Sequence, residues 1–204
     1  AIEQKTTSKN PRSTVGTITE IHDYLRLLYS RVADAYSYNS NEKMISYNDE
    51  EVIQLILQNY LNKKITILSP VIKARKGHYR ELFLNIRKQG FLKVRIDGEI
   101  KELVPNLKLD RYKIHDIEIV IDRLLVKYDE SSLKRLKESM VTAMYSGNDS
   151  LIVINEEDNE TKYFSRNLVC PSSGISYSKP EPNSFSFNSP KGMCLKCNGL
   201  GTVN

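Results

Sequence analysis

Three cysteines carry the most specific chemical implication in this 204-residue sequence. Cys194-Leu-Lys-Cys197 is a CxxC turn. Such a turn points two thiolates at one ion, and tetrahedral structural zinc is built from two of them. The expected second pair reads Cys170-Pro-Ser-Ser173, with serine where the fourth thiol belongs. A hydroxyl is a poor ligand for a borderline-soft ion. Two readings stay open: a site at Cys170, Cys194 and Cys197 completed by an outside ligand, or a metal-free turn. An odd cysteine count confined to the last fifth of the chain argues against a secreted disulfide framework and for a reducing cytoplasm. His22, His78 and His115 lack ligand spacing and read as surface or helix-packing residues.

Nucleotide chemistry has no motif here. GxxxxGK[ST] and GxGxxG are both absent, and Gly199-Leu-Gly201 follows a loop instead of a strand. No Ser/His/Asp or Cys/His arrangement stands out, so the chain by itself reads as a non-enzyme, with no certain cofactor. No apolar run approaches the roughly 18 residues that a membrane span needs.

Charge is concentrated. Between residues 73 and 101 there are nine Lys and Arg against three acids, a net +6 where the whole chain carries +5. The bland reading is a solvated face, and the functional one is an acidic partner, either protein or nucleic acid. Lys93 and Arg95 alternate with Leu92, Val94 and Ile96, which on a strand separates cations from apolar side chains. Arg87 and Lys88 close the preceding helix, where they also complement its C-terminal partial charge. A two-residue hairpin loop would set Lys93 opposite Glu102.

The elements that must position these groups follow from periodicity and turn chemistry. Thr17-Ile-Thr-Glu20 reads as a capping box for a helix of about four turns bearing Ile21, Leu25, Leu28 and Val32. The polar stretch 36–43 reads as a linker. Asn48 caps a helix to about Asn62, and Ile65–Ser69 is a strand closed by Pro70. His78–Gln89 is a helix stopped by Gly90. Phe91–Ile96 and Glu99–Val104 flank Asp97-Gly98, a preferred tight-hairpin dipeptide. A strand spans 117–126. There Ile117, Ile119 and Ile121 point odd positions inward, and the switch to Leu124 and Val126 implies a bulge that re-aims Arg123 outward. Ser131 or Ser132 caps a helix ended by Gly147. Leu151–Ile154 and Lys162–Phe164 form a last hairpin. Antiparallel hairpins with about three packed helices make this an α+β domain. The tail, 168–204, is rich in Ser, Pro and Gly and needs a metal or surrounding protein to hold it. The ends, at Ala1 and Asn204, read as cuts in a longer protein.

Three stretches together resemble the UvrA family, the damage-sensing ATPases of the ABC excinuclease. Ile2–Tyr29, beginning Ile-Glu-Gln-Lys-Thr-Thr-Ser-Lys-Asn-Pro, resembles a segment of that family's first ATPase half. Asn85–Asp97, together with Ile121-Asp-Arg123, resembles its UvrB-docking insertion. Ser184–Gly201 resembles half of a zinc-binding module. The resemblance implies three parts: residues 1–40 from the ATPase half, 41–165 as a UvrB-binding domain, and 166–204 as a degenerate zinc-module segment. It makes Gln4 a Q-loop-type position and assigns ATP to the parent alone. The parent would be a homodimeric damage sensor in nucleotide excision repair. The chain would dock UvrB through Lys93, Arg95, Arg123, Arg87 and Lys88, loading it on damaged DNA; the alternative is that the same basic patch binds DNA directly. Two departures from the family pattern stand out: Tyr36–Asn41 has no cysteines where many relatives place a CxxC, and Ser173 interrupts the later set.

Overall fold

The structure is a computed structural model that describes residues 12–202. Its chain divides into two units, one of residues 1–35 with 178–204 and one of residues 36–177. Gln4 lies outside the described residues.

In the first unit, helix α1 (Val15–Ile18) precedes α2 (Ile21–Val32). The box that starts this region belongs to Thr14, not Thr17. Thr17 N–H donates to Thr14 Oγ1 (3.3 Å), while Thr14 N–H donates to Thr17 Oγ1 (2.9 Å). Glu20 is therefore no capping partner; it takes a left-handed conformation (φ 62°) that separates the two helices. Two β-branched threonines flanking Ile18 make the intervening turn a weak helix, and Thr19 Oγ1 donates back to Val15 O at 2.7 Å. His22 and Tyr29 pack on Phe187 and Phe185, with ring centroids 5.1 and 6.0 Å apart. The Ile21, Leu25, Leu28 and Val32 stripe stays exposed.

In the second unit the elements are α3 (Asp49–Tyr60), β1 (Lys64–Lys76), α4 (Arg80–Lys88), β2 (Lys93–Ile96), β3 (Glu99–Glu102), β4 (Ile114–Leu125), α5 (Glu130–Ser146), β5 (Ser150–Asn155) and β6 (Thr161–Ser165). A two-stranded ladder of β7 (Leu168–Val169) and β8 (Ser176–Tyr177) follows. The six-stranded sheet has the order β3-β2-β4-β1-β5-β6, and every neighbouring pair is antiparallel. The chain is thus α+β, as its hairpin signals imply.

Local chemistry explains most element ends. Asn48 caps α3 by accepting from Glu51 N–H at 2.8 Å, and the Glu51 carboxylate returns the bond to Asn48 N–H. Gly90 (φ 94°) stops α4. The cap of α5 is Asp129, with Ser131 and Ser132 as its donors: Ser132 N–H and both hydroxyls reach the Asp129 carboxylate at 2.6–2.9 Å. Those donors hold the Asp129 carboxyl down to about 2.

β1 does not close at Pro70. β5 pairs with it only from Ile65 to Leu68, so from Ser69 onward β1 has β4 on one side alone. A residue without an N–H fits there, at a register irregularity between Pro70 and Ile72.

All three long helices of this unit lie on one face of the sheet. Ser69 Oγ donates to Ala143 O in α5, and Arg135 and Ser139 of α5 donate to Asp122. One cluster joins α3 and α5 to Ile65, Ile67, Leu124, Leu151 and Val153. A second joins Phe83 and Ile86 of α4 to Val94, Ile96, Ile117 and Ile119, and Ile121 touches both. Because Ile119 is the cross-strand partner of Ser69, the two clusters share that face.

Candidate docking face and paired turns

The sheet face away from the helices collects three of the sequence's candidate cations, Lys93, Arg95 and Arg123. In β2, Val94 and Ile96 are buried, so Lys93 and Arg95 point the other way. Leu92 is not a third inward residue; it precedes the strand and is 69% exposed. In β4 the register slips by one residue: Ile67 faces Asp122 while Leu68 faces Val120, leaving Ile121 extra. That bulge reverses the alternation. Thr66 then faces Arg123, which puts Arg123 on the face of Val120, Glu118 and Arg95. A regular strand would have placed Arg123 among the helices.

The guanidinium groups on this face are clamped. Arg95 sits opposite Glu118 and donates twice to its carboxylate, Nε to Oε2 at 3.1 Å and Nη2 to Oε1 at 3.0 Å. Their side chains are only 13% and 4% exposed, so Arg95 is a half-sunk ion pair and not the free surface cation that alternation implies. Alternation reports which face a side chain takes but not what waits there from a non-local strand. Arg123 Nε donates to Glu156 Oε1 at 2.6 Å, and Thr66 Oγ1 donates to the same oxygen at 2.6 Å. The Arg123 and Thr66 donors hold the Glu156 carboxyl below its usual range. Lys93 stands opposite Glu102 as the hairpin loop requires, yet forms no ion pair among the described residues. Arg87 and Lys88, at the end of α4, are exposed and also form none there. The short connection 89–92 joins them to Lys93 past exposed Leu92.

Sequence reasoning missed two polar networks on the same domain. His115 is neither a surface nor a helix-packing residue. It is 6% exposed, with Nδ1 2.7 Å from Asp97 Oδ2 and Nε2 2.9 Å from Asp110 O. Arg166 grips Asp49 through two bonds of 2.8 Å and Asp149 through one of 3.0 Å, tying α3 to the α5–β5 connection. The sequence reading found neither: Asp97 lies 18 residues from His115, and Asp49 lies 117 from Arg166.

The cysteines are divided between the units: Cys194 and Cys197 belong to the first and Cys170 to the second. Among the described residues no three His, Cys, Asp or Glu side chains are placed to share a metal ion. Cys170 is buried, and its Sγ lies 3.3 Å from both Ser40 Oγ and Glu42 Oε2. The hairpin carrying Ser40 is the stretch 36–43 that reads as a linker in the sequence. It forms a Tyr36–Lys43 bridge.

An antiparallel sheet layered by helices on one face, with clamped arginines on the other, defines the class: an α+β domain. Residues 48–157 match the family described as the UvrA interaction domain. The chain is 42% identical over 204 residues to UvrABC system protein A of Methanothermobacter thermautotrophicus, covering 99% of the chain and 21% of that relative. It is 44% identical over 201 residues to UvrABC system protein A of Bacillus subtilis, covering 98% of the chain and 21% of the relative. The chain belongs to the UvrA family, and it spans about a fifth of the length of these curated relatives.

Proposed function

We propose that this chain is the partner-docking module of a nucleotide-excision-repair damage sensor, and that it receives UvrB on the sheet face of Lys93, Arg95 and Arg123, aided by Arg87 and Lys88 of α4, which the connection 89–92 joins to Lys93. The observation that carries the reading is the β4 bulge, which brings Arg123 to the face of Arg95 although alternation alone would separate them. The Glu118 carboxylate accepts from the nearly buried Arg95 and the Glu156 carboxylate from Arg123, which reduces the side-chain entropy lost when a partner's acids approach, most for Arg95.

The same carboxylates favour a protein over a phosphate backbone. A face with both signs of charge matches a partner with both signs, whereas DNA is a uniform polyanion that rewards unneutralised cations. Lys73 and Lys101, which contribute to the basic count of the sequence, are likewise paired, with Asp116 and Glu99. ATP hydrolysis and dimerisation belong, on this reading, to the parent protein.

Calorimetry of the 204-residue chain with purified UvrB tests the assignment, with duplex DNA as competitor. Lys93→Glu should cost at least tenfold in affinity, about 1.4 kcal/mol, and DNA should leave the wild-type affinity unchanged. Normal UvrB binding by Lys93→Glu, Arg123→Glu and Arg87→Glu together with loss of DNA binding would assign the face to nucleic acid.

A further inference from the structure

Two turns in the sheet-bearing unit share one hydrogen-bond pattern, residue for residue. In the first, Asn41 N–H donates to Ser37 O (2.9 Å), Ser37 N–H donates to Glu42 O (2.8 Å), and Tyr36 bridges Lys43. In the second, Gly174 N–H donates to Cys170 O (2.9 Å), Cys170 N–H donates to Ile175 O (2.9 Å), and Val169 pairs with Ser176. The fifth residue of each turn is left-handed, Asn41 at φ 55° and Gly174 at φ 67°. The hairpins are joined by a bridge between Ile45 and Val169, with N–H···O distances of 3.0 and 2.8 Å. The first and fourth positions of the turns are Ser37 and Ser40 in one, Cys170 and Ser173 in the other.

Facing turns that present their first and fourth side chains to a common centre are how four thiolates hold a structural zinc. The donor set here does not fit that ion. It consists of one thiol and three hydroxyls, and hydroxyls do not replace thiolates on a borderline-soft metal. What joins the turns instead is a carboxylate. Glu42 Oε2, on the first turn, accepts from Ser172 Oγ at 2.5 Å and from Cys170 Sγ at 3.3 Å, both on the second. Ser40 Oγ meets Cys170 Sγ at 3.3 Å. Ser37 is buried, and its hydroxyl has no hydrogen-bond partner among the described residues.

We propose that this pair of turns is a metal-free ribbon, in which the hydrogen-bonded cluster of Glu42, Cys170, Ser172 and Ser40 fastens two hairpins that the backbone shapes for a metal. Two consequences are specific. The thiol that pairs with Cys170 is missing from Ser37 and Ser40 as well as from Ser173, so Ser173→Cys alone leaves the set incomplete. Glu42 carries the fastening in the present chain and becomes dispensable once a metal does it.

The test uses the full chain with Cys194 and Cys197 replaced by serine, so that any zinc counted belongs to these turns. Elemental analysis and thermal unfolding with and without EDTA are measured on this background, on Glu42→Gln, on Ser173→Cys, and on the triple variant Ser37→Cys, Ser40→Cys, Ser173→Cys. The background and Ser173→Cys should hold no stoichiometric zinc and melt identically in EDTA. Glu42→Gln should melt several degrees lower. The triple variant should take one equivalent of zinc, and its melting should become sensitive to EDTA. Stoichiometric zinc in the background that Cys170→Ser removes would overturn the proposal, as would a folded triple variant that takes none. If the triple variant does not fold, an unchanged melting temperature in Glu42→Gln overturns it. None of these readouts depends on UvrB.

Discussion

The imidazole of His115 is held between two acceptors, Asp97 Oδ2 at 2.7 Å and Asp110 O at 2.9 Å. A neutral ring offers only one N–H, so both contacts are bonds only in the imidazolium. The hydrogen bond to Asp97 accordingly raises the pKa of His115. Asp97 closes the β2–β3 hairpin turn and also accepts from Asp116 N–H at 2.8 Å, so one ion pair fixes the hairpin to the start of β4.

Stability should therefore depend on pH through this pair. The contribution of His115 is fully present below the ordinary histidine value, about 6.5, and is lost as pH rises through its higher folded value. Burial pushes the Asp97 carboxyl up, but the His115 and Asp116 donors outweigh it and hold it low. Its contribution is present above about 3.9 and lost as pH falls through its lower folded value. Urea unfolding should show the pair at full strength between about pH 4 and 6.5. His115→Gln should flatten the alkaline side of that profile and cost about 1–3 kcal/mol at pH 6. An unchanged profile in His115→Gln would exclude the ion pair as its source.

Arg95 and Lys93 should respond differently to charge reversal. Arg95→Glu places two carboxylates in a nearly buried pair and should cost about 3–5 kcal/mol of stability. Lys93→Glu, on an exposed side chain, should stay within about 0.5 kcal/mol of wild type. Chemical denaturation of both variants checks the contrast. Equal effects would mean that the Arg95–Glu118 pair is not formed.

Arg123 is 54% exposed, so its pair with Glu156 is worth little to the fold. Arg123→Ala should lower stability by no more than about 1 kcal/mol, and less at high salt. A loss of several kcal/mol would place this arginine in the core and remove the β4 bulge.

Gly147 ends α5 where there is no room for a side chain. A Cβ there would lie 2.2 Å from Ser150 O and 2.8 Å from Ser69 Oγ. Gly147→Ala should force the α5–β5 turn away from β1 and cost about 1–3 kcal/mol, visible as a lower urea midpoint. A neutral substitution would show that this turn yields easily.

The sequence by itself determined the elements whose causes are local. Asn48 with Glu51, Gly90 and Asp97-Gly98 set a helix start, a helix stop and a hairpin through bonds and dihedrals confined to a few residues. Apolar alternation fixed the inward faces of β2 and β4, and the break from Ile121 to Leu124 disclosed the bulge. Motif composition carried the family resemblance. Tertiary structure alone decided the rest. Pro70 could stay in β1 because β5 ends its pairing at Leu68, a fact about a strand that begins only at Ser150. Arg95 lost its freedom to Glu118 because β2 pairs with β4 as well as β3. Cys170 found Ser40 and Glu42 because the polar stretch 36–43 folds as a hairpin beside it. Local free-energy differences set backbone conformation within a turn or two. Which charge meets which across a sheet depends on pairing between distant strands, and no short window of sequence contains it.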